Sequence, residues 1–242
     1  MLMYGGKIKN ECEDDCENNM PFDSNRVYTD QLSFREIMIN GDISQDLIEK
    51  AIVPIMNYNR YDDQMSAKIK DYQREPIKIF INSSGGLIDE CMALVSIIGS
   101  SKTPIHTVVL GKAYSAGFLI LIAGHERYMQ RYSRVMLHPG SGGYVGSFPG
   151  ILKHANEIFD LQEQINGYIV NNTFIDPEEI EDMTRTELNW YMQAPESLCR
   201  GVVDYIIMED RTLDLEGFIE EQKKIEKDIK QAKKAAKSVK GK

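Results

Sequence analysis

PIHTVVLGKAYSAGFLILIA, residues 104–123, changes character at a single serine. From Pro104 to Leu110 the β-branched and apolar residues read as a strand. The apolar run over 118–123 reads as a buried helix, and is far shorter than the ~20 residues of a membrane span. Between them Gly111-Lys112-Ala113-Tyr114-Ser115-Ala116-Gly117 turns strand into helix. Small neighbours let a substrate backbone approach Ser115, and a helix N-terminus offers amides and positive potential to a developing oxyanion. The same residues would also suit a glycine-rich turn whose serine only caps the helix.

Working outward, the strand–turn–helix order repeats. Ile77, Ile79 and Ile81 alternate as a strand, Ser83-Ser84-Gly85-Gly86 turns the chain, and Ile88, Cys91, Leu94, Val95 and Ile98 share a helical face. Upstream, Glu36 to Gly41 predicts a short strand. Ser44 is an N-cap for a helix carrying Ile43, Leu47, Ile48, Ala51, Ile52 and Ile55, and the polar stretch 57–75 is an exposed loop or an extension of that helix. Downstream, Arg134 to Leu137 predicts a fourth strand, followed by His138-Pro139 and a glycine-rich loop over 140–146. Ile151, Ala155, Ile158, Phe159, Leu161, Gln162, Ile165 and Ile169 give 150–172 a long amphipathic helical pattern. Asp176-Pro177 and Ala194-Pro195-Glu196 open two more helices, and Gly201-Val202-Val203-Asp204 returns to a strand. Repeated β-then-α order predicts an α/β fold.

With 242 residues and 42% hydrophobic composition, the chain can bury one full core. Its net charge of -9 argues against a nucleic-acid partner. Residues 11–17 are acidic, while the last twenty are Lys-rich and place Phe218, Ile225, Ile229, Ala232, Ala236 and Val239 at helical spacing. The chain opens with no apolar signal core, so its four cysteines are expected as free thiols in a reducing cytoplasm, and no membrane is expected. Cys91 and Cys199 read as core residues. Cys12 and Cys16 flank acidic residues without a second ligand pair, so no metal or cofactor is expected. The expected organisation is an acidic arm over 1–33, a folded domain over 34–210 and a Lys-rich helical tail over 211–242.

Ser83 to Gly86 can turn backbone N–H groups outward at positive φ, although by itself it fits an ordinary turn. Arg134-Val135-Met136-Leu137-His138 sets one of four histidines at a strand end. Joined to the Ser115 motif, these pieces resemble the proteolytic subunit of the Clp protease family. The family's G-x-A-x-S-x-G is matched by Gly111 to Gly117. Its I-N-S-P-G-G is matched by Ile81-Asn82-Ser83-Ser84-Gly85-Gly86, with Ser84 where proline is usual. Its R-V-M-I-H and following G-G-Y are matched by Arg134 to His138 and Gly142-Gly143-Tyr144. Ala194-Pro195-Glu196 and Gly201-Val202-Val203-Asp204 match a further family stretch. The resemblance runs from about Glu36 to Ile207 and is interrupted only by the longer 57–75 stretch.

That resemblance implies a ClpP/crotonase-like fold of repeated ββα units with a long handle helix at 150–172. It implies a serine endopeptidase that cleaves unfolded polypeptides through an acyl-enzyme. Ser115 would attack the peptide carbonyl, His138 would take and return the proton, and the amides of Gly85 and Ala116 would form the oxyanion hole. The backbones of Gly86, Leu87 and Ile88 and of Gly140, Ser141 and Gly142 would hold substrate as an added strand. It further implies two stacked seven-membered homo-oligomeric rings fed by an AAA+ unfoldase. The chain has no G-x-x-x-x-G-K-[ST] loop, so ATP use belongs to that partner. Ile158 and Leu161 are expected on an exposed apolar face of the handle that joins the rings.

Aligned on Ala194-Pro195-Glu196, the family's catalytic aspartate falls on Asn189. Asparagine can accept the imidazole N–H through its carbonyl oxygen but adds no charge. Glu187 and Asp182 are the carboxylates nearby in sequence. Asn189 motivates a rival reading as a weakly active or inactive ring subunit. A crotonase-like acyl-CoA enzyme would not require Ser115 together with His138. A phage head-maturation peptidase would pair serine with lysine, and Lys112 stands too close to Ser115 for that role.

Overall fold

The computed structural model describes residues 35–239. The acidic arm expected over 1–33, with Cys12 and Cys16, lies outside the described residues. The fold is α/β. Eight strands form one sheet: β1 (Glu36–Asn40), β2 (Ile77–Ser83), β3 (Ile105–Tyr114), β4 (Glu126–Gln130), β5 (Arg134–Leu137), β6 (Trp190–Gln193), β7 (Tyr205–Ile207) and β8 (Thr212–Leu213). Around it run α1 (Gln45–Lys68), α2 (Ile88–Ser100), α3 (Ala116–Ile122), α4 (Phe148–Asn172), α5 (Pro177–Thr186), α6 (Ala194–Cys199) and α7 (Leu215–Val239).

The alternation of β2 places Ile77, Ile79 and Ile81 in the core, where they meet Ile37 and Ile39 of β1, Ile105 and Val109 of β3, and the apolar faces of α1 and α2. All strand pairs are parallel except β5–β6 and β7–β8. The sheet forks at β3: residues 106–109 pair with β4 and 112–114 with β5. The opposite face of β1 and β2, with Met38, Asn40, Lys78 and Asn82, is exposed or half-buried. Parallel strands are ordinarily covered on both faces.

Some local expectations hold, one of two alternatives is selected at the polar stretch, and others change. The polar stretch after residue 57 continues α1 as far as Lys68. Its buried face carries Tyr58 and Asp62, so the helical period there is marked by a carboxylate, which apolar periodicity cannot reveal. Asp62 is fully buried and is bonded by Arg35, Tyr72 and Thr103. β3 continues through Gly111 to Tyr114, so the turn into α3 narrows to Ser115 itself. Residues 201–204 are a turn, and the strand comes after it as β7. The amides of Val202 and Val203 bond back to the Ser197 carbonyl while both side chains enter the core. β4 carries only one buried residue, Met129, and β6 is four residues long, so neither announces itself by pattern. Cys91 is buried, and its burial pushes the thiol up to about 12. Cys199 is exposed rather than in the core. The Lys-rich tail forms α7. Among the described residues no helix is long and apolar enough to cross a membrane.

Candidate active site

The C-terminal ends of β2, β3 and β5 converge, and the three motifs stand at those ends. Tyr114 pairs with Met136, and the Ser115 amide then donates to the Met136 carbonyl at 2.8 Å. This parallel register carries Ser115 and His138 off the sheet side by side. Ser115 Oγ and His138 Nε2 are 2.7 Å apart. Ser115 holds φ 54° and ψ -122°, a conformation that non-glycine residues enter at a cost of about 1–3 kcal/mol and that clusters at working sites. Its hydroxyl makes no capping bond to α3, which removes the reading of Ser115 as a mere cap.

Gly85 fits against this serine. A Cβ on Gly85 would lie 2.6 Å from Ser115 Cβ and 3.0 Å from the Tyr114 carbonyl, and the residue holds φ +103°. Steric space and backbone conformation thus both require glycine. The Gly85 amide donates to Ser83 Oγ at 3.1 Å, so the turn is braced from within. The Ala116 amide forms no hydrogen bond among the described residues. Gly86 packs on Ile43: the Leu87 amide bonds to the Ile43 carbonyl and the Ile43 amide to the Gly85 carbonyl. The Leu87 carbonyl is taken by Cys91, which leaves the N–H and C=O of Gly86 as the unbonded pair facing away from Ile43.

A cleft of about 400 Å³ runs past this pair. Ser115, Ala116 and His138 line it, and so do Gly86, Leu87, Ile88, Gly140, Ser141 and Gly142. Its apolar floor comes from Leu119, Leu137, Ile158, Leu161 and Ile165. Ile158 and Leu161 thus both line the cleft, Ile158 while remaining exposed and Leu161 half-buried. The large apolar residues that α4 exposes are Phe148, Ile151, Leu152, Ile158 and Phe159. Gln162 also lines the cleft, and its Oε1 accepts the Gly140 N–H at 2.7 Å. Composition did not single out Gln162 or Leu119. The signal for Gln162 is its break in the apolar stripe of α4.

The third partner of the imidazole is less complete. β5 and β6 pair antiparallel as far as Leu137 opposite Trp190, and one further step of this register, beyond both strands, would set Asn189 opposite His138. The start of β6 is anchored, since Trp190 Nε1 donates to Glu196 at 3.2 Å and the Arg200 guanidinium lies 4.4 Å over its ring. No hydrogen bond joins Asn189 to His138, and Asn189 is exposed. Glu187 ends α5 in the left-handed region, exposed to solvent. Asp182 is engaged by Arg185 at 2.6 Å. Lys112 Nζ donates to Ser84 Oγ at 2.6 Å, which turns it away from a serine–lysine pairing.

The fold and site define a parallel-sheet α/β protein whose strand ends join a strained serine to a histidine. The chain matches the Clp protease family over residues 23–210. Among solved structures it is similar to a mutant of ClpP1 from Listeria monocytogenes in which an asparagine is changed to aspartate. The identity is 26%, the TM-score is 0.63, and the match covers 76% of this chain and 98% of that one. The chain belongs to the Clp protease family, whose members are serine peptidases.

Proposed function

We propose that this chain is a serine endopeptidase subunit of a Clp-type compartmentalised protease. The observation that carries the reading is the 2.7 Å contact between Ser115 Oγ and His138 Nε2 at the mouth of an apolar cleft. In the proposed reaction His138 takes the Ser115 proton as Oγ attacks the peptide carbonyl, then passes it to the leaving amine, and water releases the acyl group by the reverse sequence. The amides of Gly85 and Ala116 receive the oxyanion, the former by exchanging its bond to Ser83. Substrate lies extended between Gly86–Ile88 and Gly140–Gly142, adding its backbone to the free groups of Gly86.

Assembly into stacked heptameric rings served by an AAA+ unfoldase is part of the same proposal. It is supported by Phe148, Leu152 and Phe159 on α4 and by the uncovered face of β1 and β2. A weakly active or inactive ring subunit is the second reading, favoured by the unbonded side chain of Asn189. A fluorophosphonate probe distinguishes the two. Labelling of the wild type that disappears in Ser115→Ala and His138→Ala supports the peptidase. An unlabelled wild type supports the structural subunit, and labelling that survives Ser115→Ala overturns the site.

A further inference from the structure

Over 139–146 the loop after His138 makes one hydrogen bond among the described residues, to a side chain of α4, and beyond the Gly140–Gly142 wall the Tyr144 ring lies 4.7 Å from that of His154. Gly140 N–H donates to Gln162 Oε1 at 2.7 Å. Gln162 is held in turn, since its Nε2 donates to Asn166 Oδ1 at 2.8 Å, one turn further along α4. Asn166 Nδ2 reaches Thr184 Oγ1 on α5 at 3.4 Å, and Thr184 is fixed to the Ile180 carbonyl at 2.9 Å. Three helical side chains thus form one relay whose hydrogen bonds all donate in the same sense, from the loop through α4 to α5. No hydrogen bond is formed by Ser141, Gly142 or Gly143 among the described residues. A β-carbon on Gly140 would come within 3.3 Å of Gln162 Oε1, so loop and amide are close-fitted.

We infer that Gln162 is a positioning residue for extended substrates: it fixes the Gly140–Gly142 wall of the cleft so that a peptide can add to it as a strand. The inference rests on the peptidase reading above. Gln162 touches neither Ser115 nor His138 by hydrogen bond, so its influence falls on the part of the substrate that lies along the loop. The Ser115–His138 chemistry remains as it was. Glycines supply the loop's shape but no stiffness, because each has a wide backbone range to lose. A side-chain acceptor on a rigid helix supplies that stiffness once for the whole wall. Without it the loop must be ordered by each arriving peptide, and that cost appears in binding.

The test uses the full chain and two reporters. One is an extended peptide long enough to span the loop, and the other is a small fluorophosphonate that reaches Ser115 alone. Gln162→Leu keeps the bulk and removes the acceptor. It should raise KM for the peptide roughly five- to tenfold, the size of one lost hydrogen bond, with kcat and the rate of Ser115 labelling within about twofold of wild type. Gln162→Glu restores an acceptor for Gly140 N–H and should return KM to within about twofold. An unchanged KM in Gln162→Leu overturns the inference, as does an equal fall in labelling and hydrolysis in both variants, which would mark a structural role. Should Gln162→Leu fail to fold, Asn166→Ala leaves Gln162 in place without its support. KM should then rise roughly threefold, and an unchanged KM there overturns the inference as well. A wild type that labels with neither probe nor peptide defeats the peptidase reading itself, and is told apart from these outcomes by its independence of residue 162.

Discussion

Among the described residues Asp62 accepts four hydrogen bonds, two from Arg35 and one each from Tyr72 and Thr103, whereas a single one, with Ser115, involves the His138 ring. Both groups sit against the same apolar core. A buried charge that must only endure needs every lone pair filled, because each unfilled one carries a desolvation penalty. A group that must pass a proton needs the opposite, an uncommitted partner and room for a substrate. The contrast separates polar residues that hold this molecule together from those that would act in the proposed peptidase.

The largest effect is expected at Gly85, where the candidate active site has no slack. Gly85→Ala places a methyl group against Ser115 and displaces the turn that offers its amide. Peptide kcat/KM should fall about 10²–10³-fold, the loss expected of one oxyanion donor, while the urea midpoint moves little by comparison. A steady-state assay beside an unfolding curve checks both.

Asp62→Asn tests the other half. It keeps the shape of the side chain and leaves Arg35 buried against a neutral partner. The expected destabilisation is about 3–5 kcal/mol, read from urea unfolding, with peptidase rate per folded molecule unchanged. The same carboxylate sets a pH dependence. Despite the opposing pull of burial, the hydrogen bonds from Arg35, Thr103 and Tyr72 bring its pKa from 3.8 down to about 2. Its stabilising effect is therefore complete above about pH 4 and is lost as pH falls toward 2, an amount near 2 kcal/mol. Asp62→Asn should flatten the unfolding free energy across that window.

The acting region was legible in the sequence to a degree the holding region was not. Glycines and a serine between two apolar runs, and a histidine after a short strand, are local signals, and β3–β5 pairing brings Ser115 Oγ and His138 Nε2 to 2.7 Å. Asp62 gave no such signal, since a lone aspartate in a polar stretch looks solvated until Arg35, Tyr72 and Thr103 are seen around it. Gln162 was hidden for the same reason: its partner Gly140 is 22 residues away and the contact is made by the fold. Amphipathic spacing marks the apolar stripe of α4 but not the cleft beside it: Ile158 is exposed and lines the cleft at once, while Leu161 is half-buried there.

Asn189→Asp has the smallest of these expected effects and acts from the side of the histidine. An anion opposite His138 would give the imidazolium a second partner and bring it nearer to the fully bonded state of Asp62. A gain in kcat of roughly tenfold is expected, well below the 10⁴-fold loss that the reverse change causes in trypsin, because the side chain must first turn toward the ring. Burst kinetics with an ester substrate would locate the gain in acylation. A fall in kcat, or a gain reproduced by changing Glu187 or Asp182 instead, would remove Asn189 from the third position.

The contact between Lys112 and Ser84 has a consequence for how the turn before Gly85 responds to its surroundings. A proline at that place would restrict the chain through its ring, in every solvent and before folding begins. Here Ser84 is restrained instead by a hydrogen bond at the surface, open to competition from water, beside the buried Gly85–Ser83 bond that braces the turn from within. That share of the turn's stiffness belongs to the solution as much as to the chain: a competing acceptor for the lysine loosens it.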